Sequence, residues 1–468
     1  MVFSSLIFLY FFLPITLLIY FITPNQLRNA ILIVASLVFY AWGEPVYIFL
    51  MLFSTVIDYV YGLLIDKYRY RKSTARALLV CSLVGNLGIL GFFKYYGFLV
   101  ENINSLFGLH FEVTTLPLPV GISFYTFQTM SYIIDVYRDK VPVQKNLIAF
   151  GTYVTMFPQL VAGPIVAYGD VSKQLANRQI TISLFGEGTQ LFIRGLAKKV
   201  LLANHIGMLW SSIKATAMSE VTVATSWIGI LAFTLQIYFD FSGYSDMARG
   251  LGKMFGFELT KNFNYPYIAT SVSEFWRRWH MSLGSWFREY VYIPLGGNRV
   301  GIVKQLRNLF VVWFLTGLWH GASWNFIIWG LYFGCFIVME NLFLHKWLQH
   351  LPRGIGNLYT LLIVMVGWVF FDLDRLSAAL AYVEAMFGLG THHFIDNNTY
   401  YYLSTNLIIL LLAILAATPL PKRMFLALKQ RYPFGSAILS PILHVLFLFL
   451  STAYLVNDTY NPFLYFRF

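Results

Sequence analysis

Cysteine, charge and polar linkers are all scarce in this 468-residue chain, and each shortage removes a class of protein. Its two cysteines, Cys81 and Cys335, lie inside apolar runs, where thiols usually act as small core residues, so neither a disulfide nor a metal site is expected. Charged residues make up 12% of the chain against 58% hydrophobic, with a mean hydropathy of +0.64; a soluble domain does not carry that balance. There is no P-loop, no CxxC and no Gly-x-Ser-x-Gly elbow, and Gly250 and Gly252 in GLGKMFGF carry the wrong spacing for a dinucleotide fingerprint. Internal repeats are missing too. The longest polar connections, around 164–186 and 372–402, are too short for independent domains, so one membrane domain is expected to fill residues 1–468.

Acidic residues are outnumbered 21 to 33, leaving a net charge of +12. A basic surface for nucleic acid is not implied, because the Lys and Arg residues sit in short loops between apolar runs, where they act as topology signals. Such runs recur from residue 3 to residue 455. At roughly 20 residues per span they predict an all-α polytopic bundle of about eleven to thirteen transmembrane or re-entrant helices in a lipid bilayer. Lys67, Arg69, Arg71, Lys72 and Arg76 mark one cytoplasmic loop, Arg138, Lys140 and Lys145 a second, and Lys422, Arg423, Lys429 and Arg431 another. Counting spans from these loops puts both termini outside the cytoplasm. The first run has neither a basic flank nor a cleavage site, so it is expected to remain as a helix.

Residues 313–330, WFLTGLWHGASWNFIIWG, hold one imidazole, His320, and no other ionisable side chain. A titratable group inside an apolar segment is costly and marks a functional site, the bland alternative being a core histidine satisfied by a nearby carbonyl. Basic residues on both flanks predict that the stretch enters the bilayer and returns. From Asn308 a helix reaching His320 rises only about 20 Å at 1.5 Å per residue, which places the imidazole near the apex. Gly317 and Gly321 bracket it and permit close approach. A single long tilted helix is the other geometry that the loop charges allow.

Residues 271–299, SVSEFWRRWHMSLGSWFREYVYIPLGGNR, have helical periodicity of a different kind. Trp276, Trp279, Leu283, Phe287 and Tyr290 fall on one face, Glu274, Arg277, Arg278, Ser285, Arg288 and Glu289 on the other. This pattern predicts an interfacial amphipathic helix, N-capped by Ser271 or Ser273 and ended by IPLGG. His280 sits at the border of its apolar face. Further upstream, Gln236, Asp240 and Tyr244 repeat every four residues and form a polar stripe. Asp240 is expected either to orient an imidazole or accept from a substrate, or else to pair with one of the many arginines inside the protein. His392 and His393 before Asp396 imitate an acyl-transfer HHxxxD motif, but the spacing is one residue short and the setting is a polar loop.

FDFSGYSDMARGLGKMFGF, NFNYPY, SEFWRRWHMSLGSWFREYVYIPLGGNR, WHGASWNFIIWG, FPQLVAGPI and the terminal PFLYFRF together resemble the membrane-bound O-acyltransferase family. They are most similar to the branch that includes the membrane proteins of alginate and peptidoglycan O-acetylation. Teichoic-acid D-alanyl transfer proteins share the RWHMSL type of segment, but the YIPLGGNR continuation is more similar to the acetyltransferase branch. The resemblance implies a helical bundle around a funnel or tunnel, with His280 and His320 as catalytic positions. It also implies a separate extracytoplasmic hydrolase-like partner that passes the acyl group to an envelope polysaccharide.

Chemistry points the same way. Acyl transfer from a thioester to a hydroxyl needs a base for the hydroxyl proton and a pocket that excludes water. His320 is the expected general base, with His280, Asp240, Tyr244, Trp276 and Trp319 as substrate contacts. Arg277 and Arg278 are candidates to hold the anionic groups of a cytoplasmic donor such as acetyl-CoA, which acts as a substrate, with no permanently bound cofactor. Two alternatives are D-alanyl transfer from a carrier-protein thioester and a transporter of polysaccharide or lipid-linked sugar. Transporters commonly carry paired internal repeats, which this chain lacks.

Overall fold

In a computed structural model of the protein, residues 1–114, 116–161, 163–389, 393–457 and 463–464 are described. His392, Ala162 of FPQLVAGPI and the residues of PFLYFRF other than Phe463 and Leu464 lie outside them. The described residues are helical, with no strand among them. Among the described residues seven helices are long and apolar enough to cross a membrane: Ile48–Lys67, Lys72–Phe107, Val223–Met254, Trp324–His350, Arg353–Asp372, Asn397–Ala416 and Pro433–Asn457. In the last of these only 11% of the apolar window is buried within the protein. Lipid must cover what protein does not, because apolar side chains on this scale are not stable in water.

Backbone packing divides the chain into two compact units, residues 1–192 with 245–261 and 460–462, and residues 193–244 with 262–459 and 463–468. The first unit centres on the helix Ile122–Tyr137, whose residues Ile122–Val136 are all buried. A cluster of phenylalanines, Phe3, Phe8, Phe39 and Phe157, packs with ring centroids 5.0–6.4 Å apart. Fully buried Asp58 accepts from Ser82 Oγ at 2.8 Å and from Asn86 Nδ2 at 2.9 Å, so this carboxylate is satisfied between two spans. The apolar segment 147–160 is not a single helix. It breaks at Met156 into Leu147–Thr155 and Phe157–Leu160, because Pro158 fits the first turn of a helix but not its interior. Gln144 before the segment donates to Tyr168 Oη after it at 3.0 Å, so the chain doubles back over this stretch.

The second unit holds a tight helical hairpin, Ile302–His320 followed by Trp324–Met339. The chain turns back directly after His320, through extended Gly321, so the stretch is two packed helices and not the single tilted helix. Glycines make the close packing feasible: a Cβ at Gly317 would collide with the Phe326 carbonyl, and one at Gly330 with the Trp313 carbonyl. Cys81 and Cys335, expected in the core, are instead exposed on the outer faces of their helices. In a membrane bundle a small apolar side chain is equally at home facing lipid. Asp396 of the HHxxxD imitation is a helix cap, accepting from the Thr399 backbone N–H at 2.8 Å.

Candidate active site

The continuous amphipathic helix expected over 271–299 is interrupted. Ser271 caps a short helix, Val272–Trp276, by accepting from Glu274 N at 3.0 Å; a second, Met281–Phe287, begins only after His280, and a further turn continues to Tyr292. The break falls on His280 itself, at φ 44° and ψ 53°. A side chain other than glycine enters this left-handed region at a cost of order 1–3 kcal/mol, and it persists where the surroundings over-determine it. Here the surroundings are the preceding NFNYPY segment. Asn264 N donates to Arg278 O at 2.9 Å and Met281 N to Asn262 O at 3.0 Å, so that segment grips the chain on both sides of His280. Periodicity hides the kink because the apolar face resumes after it, with Trp279, Leu283 and Phe287 all buried.

Asn262, to which sequence reasoning gave no role, orients the imidazole. Its Oδ1 lies 3.2 Å from His280 Nδ1 and accepts from Ser282 N at 3.1 Å and Ser282 Oγ at 3.0 Å. A backbone N–H can only donate, so the amide oxygen faces Ser282 and His280 Nδ1 must carry the proton. The lone pair then belongs to Nε2. Burial pulls the His280 imidazole down to about 3, which keeps the ring neutral at any working pH. Its ring stands edge-on to Phe241 at 4.8 Å and meets Trp319 at 5.9 Å. The only sequence signal for Asn262 is its place in NFNYPY.

His320 terminates its helix at the hairpin apex and is 5% exposed. Aromatic rings enclose it: Trp319 at 5.0 Å, Trp329 at 4.9 Å, Phe371 at 5.3 Å and Phe326 at 6.5 Å between centroids. Trp319 therefore contacts both imidazoles, and the structure brings the two histidines to one tryptophan. Trp276 packs against Trp313, Trp329 and Phe333, tying the first short helix to the hairpin. Buried Glu340, also unforeseen, accepts from Val272 N at 2.6 Å and Ser273 N at 2.8 Å. A carboxylate at that terminus satisfies helix N–H groups that would otherwise have no acceptor.

The remaining candidates separate. Arg278 is engaged by Glu274 at 2.7 Å and by the Asn264 carbonyl at 3.1 Å, whereas Arg277 is exposed. Asp240 meets no imidazole but a lysine: it forms a buried ion pair with Lys199, and its other oxygen accepts from Leu464 N at 2.8 Å. Tyr244 is buried against Phe463, with centroids 4.4 Å apart and rings perpendicular. These two residues of the polar stripe thus hold Phe463 and Leu464.

Residues 138–371, which contain both histidines, match the membrane-bound O-acyltransferase family. The chain is 44% identical over 402 residues to the probable alginate O-acetylase of Azotobacter vinelandii, spanning 85% of this chain and 80% of that protein. It is 39% identical over 490 residues to the probable alginate O-acetylase of Pseudomonas putida, across the full length of both. With the peptidoglycan O-acetyltransferase of Helicobacter pylori it shares 35% identity over 426 residues, 83% of this chain and 80% of the other. Helical architecture, paired histidines and these similarities agree: the chain is a multi-pass membrane enzyme of the membrane-bound O-acyltransferase family.

Proposed function

We propose that this enzyme carries an acetyl group from a cytoplasmic thioester, acetyl-CoA, across the cytoplasmic membrane for O-acetylation of an extracellular or cell-envelope polysaccharide. On this reading the whole chain acts as one catalytic domain, with both termini outside the cytoplasm. The relatives' names supply the acetyl group and the polymer class. The observation that carries the mechanism is the convergence of His280 and His320 on Trp319 within aromatic, water-poor surroundings. His320 takes the proton of the attacking hydroxyl as its oxygen bonds to the thioester carbonyl carbon; the carbon–sulfur bond then breaks and the thiolate leaves as the thiol with that proton. His280, neutral and donating from Nδ1 to Asn262, accepts at Nε2 from an N–H or O–H of a substrate and so positions it. Exposed Arg277 is the better placed of the two arginines to meet a donor phosphate, because Arg278 is already paired. A hydrolase-like protein outside the membrane receives the acyl group and completes transfer to the polymer.

Base-labile acetate on purified envelope polysaccharides tests this reading in cells with the wild-type enzyme, without it, and with His320→Ala at matched membrane abundance. Loss of acetate from one polymer in both mutants names the acceptor and ties His320 to catalysis. Persistence in both overturns acetyl transfer and points to D-alanine esters or transport. Loss in the deletion alone leaves the enzyme in place and removes His320 as the base.

A further inference from the structure

Two guanidiniums in the first compact unit share one tyrosine ring. Arg28 opens the helix Arg28–Ala41 and holds its guanidinium carbon 5.2 Å from the Tyr20 centroid; Arg178, just beyond the helix Tyr168–Ala176, lies 5.9 Å from the same centroid. Arg178 also stacks over Phe257 at 4.6 Å and donates to Asn29 Oδ1 at 2.8 Å. Arg28 Nε reaches the Thr23 carbonyl at 3.3 Å. These partners are all neutral. Among the described residues no carboxylate pairs with either arginine, although Arg69, Arg249, Arg278, Lys199, Lys214 and Lys253 all have one.

The floor beneath the pair is fixed. Tyr20 Oη donates to the Phe255 carbonyl at 2.7 Å, and Gly256, at φ +84°, passes so near that an added Cβ would lie 2.9 Å from Ile180 Cγ1 and 3.3 Å from Arg178 Cβ. Two like charges held together by rings and amide oxygens repel each other. Arg178 registers this: burial first, and then Arg28, pull its proton affinity down. A guanidinium has five N–H donors in a planar fork, and the neutral partners above use few of them. The ligand that satisfies two such forks at once is a tetrahedral oxyanion, and the apolar helix Phe8–Ile22 that ends just before Arg28 favours one presented at a membrane surface.

We propose that Arg28 and Arg178, braced by Tyr20 and Phe257, form a binding site for a phosphate group carried by a ligand at the membrane surface. Two sources present that chemistry, a phospholipid headgroup and the diphosphate of a nucleotide-bearing thioester. The lipid source is independent of the acyl-transfer reading, whereas the thioester source rests on it.

The test uses the full-length protein purified in detergent, with phosphatidylglycerol and acetyl-CoA as separate probes, followed by native mass spectrometry and by thermal stabilisation. A ligand that binds the folded protein raises its unfolding temperature by an amount that grows with the ratio of its free concentration to Kd. Wild type is expected to bind one of the probes, and Arg28→Gln/Arg178→Gln to bind it at least about tenfold more weakly, with Arg28→Lys/Arg178→Lys in between. Binding of phosphatidylglycerol alone assigns the lipid, and binding of acetyl-CoA alone assigns the donor. Should the double glutamine variant fail to fold, Arg28→Gln is measured instead; among the described residues the polar partner of the Arg28 side chain is the Thr23 carbonyl and the ring it faces is Tyr20, and a loss of about threefold is expected. Equal affinity of wild type and folded variant for both probes, or no binding of either probe to wild type, overturns the proposal.

Discussion

His280 and His320 lie against the same tryptophan but are prepared in different ways. His280 sits in a left-handed kink, its Nδ1 proton committed to Asn262, so its orientation and tautomer are set by hydrogen bonds. His320 caps a helical hairpin and is enclosed by Trp319, Trp329, Phe326 and Phe371, so its position is set by packing. A ring whose one proton is already spent on a fixed acceptor is suited to holding a substrate. One enclosed by aromatic walls is suited to a proton transfer from which water must be excluded. The two residues therefore respond to different perturbations.

Removing the imidazole at the apex gives the largest effect. His320→Ala and His320→Gln are each expected to lower acyl transfer by at least about a hundredfold with KM little changed, the range of one general base. Next comes the orienting pair. Asn262→Ala is expected to lower kcat/KM by about tenfold, and His280→Gln by a similar factor; the double variant should lose little more than either alone, because both act through one hydrogen bond. Full additivity of the two losses would break the comparison. Packing is tested at Gly330: Gly330→Val forces the hairpin helices apart at the Trp313 carbonyl and should destabilise the protein by about 1–3 kcal/mol, read as a lower unfolding temperature with His280 undisturbed.

A smaller effect concerns pH. The buried His280 ring protonates only near 3, whereas an unfolded histidine does so near 6.5. The unfolded chain thus takes up the proton first, and stability falls as pH drops from about 6.5 towards 3. His280→Gln should lose less stability than wild type over that window, and above it the two should run parallel. The smallest expected change is Arg277→Ala, which should raise the KM for an anionic donor severalfold at most, while Arg278→Ala lowers stability by releasing Glu274 and the Asn264 carbonyl.

How much of this was legible in the sequence depends on the range of the interaction that decides it. The hairpin followed from local signals: basic flanks, a stretch too short to cross, and glycines beside His320. The helix class and the paired histidines were equally readable, since periodicity and motifs are properties of neighbouring residues. The kink at His280 was not, because it is imposed by Asn262, which lies 18 positions away. Glu340 likewise acts across 68 positions, on Val272. The surface cysteines were misplaced because core and lipid-facing positions carry the same apolar composition in a membrane helix. Asp240 shows the converse: its stripe was visible, but two kinds of partner fitted it equally well, and only three-dimensional packing brought Lys199 to it.

The most direct measurement of the central claim is thioester consumption by purified enzyme in proteoliposomes, with a hydroxyl acceptor present, compared between wild type and His320→Ala of equal thermal stability. With His320 as the base, wild type releases the free thiol in an acceptor-dependent manner and the variant does so at a rate at least about a hundredfold lower. Equal rates would contradict that role.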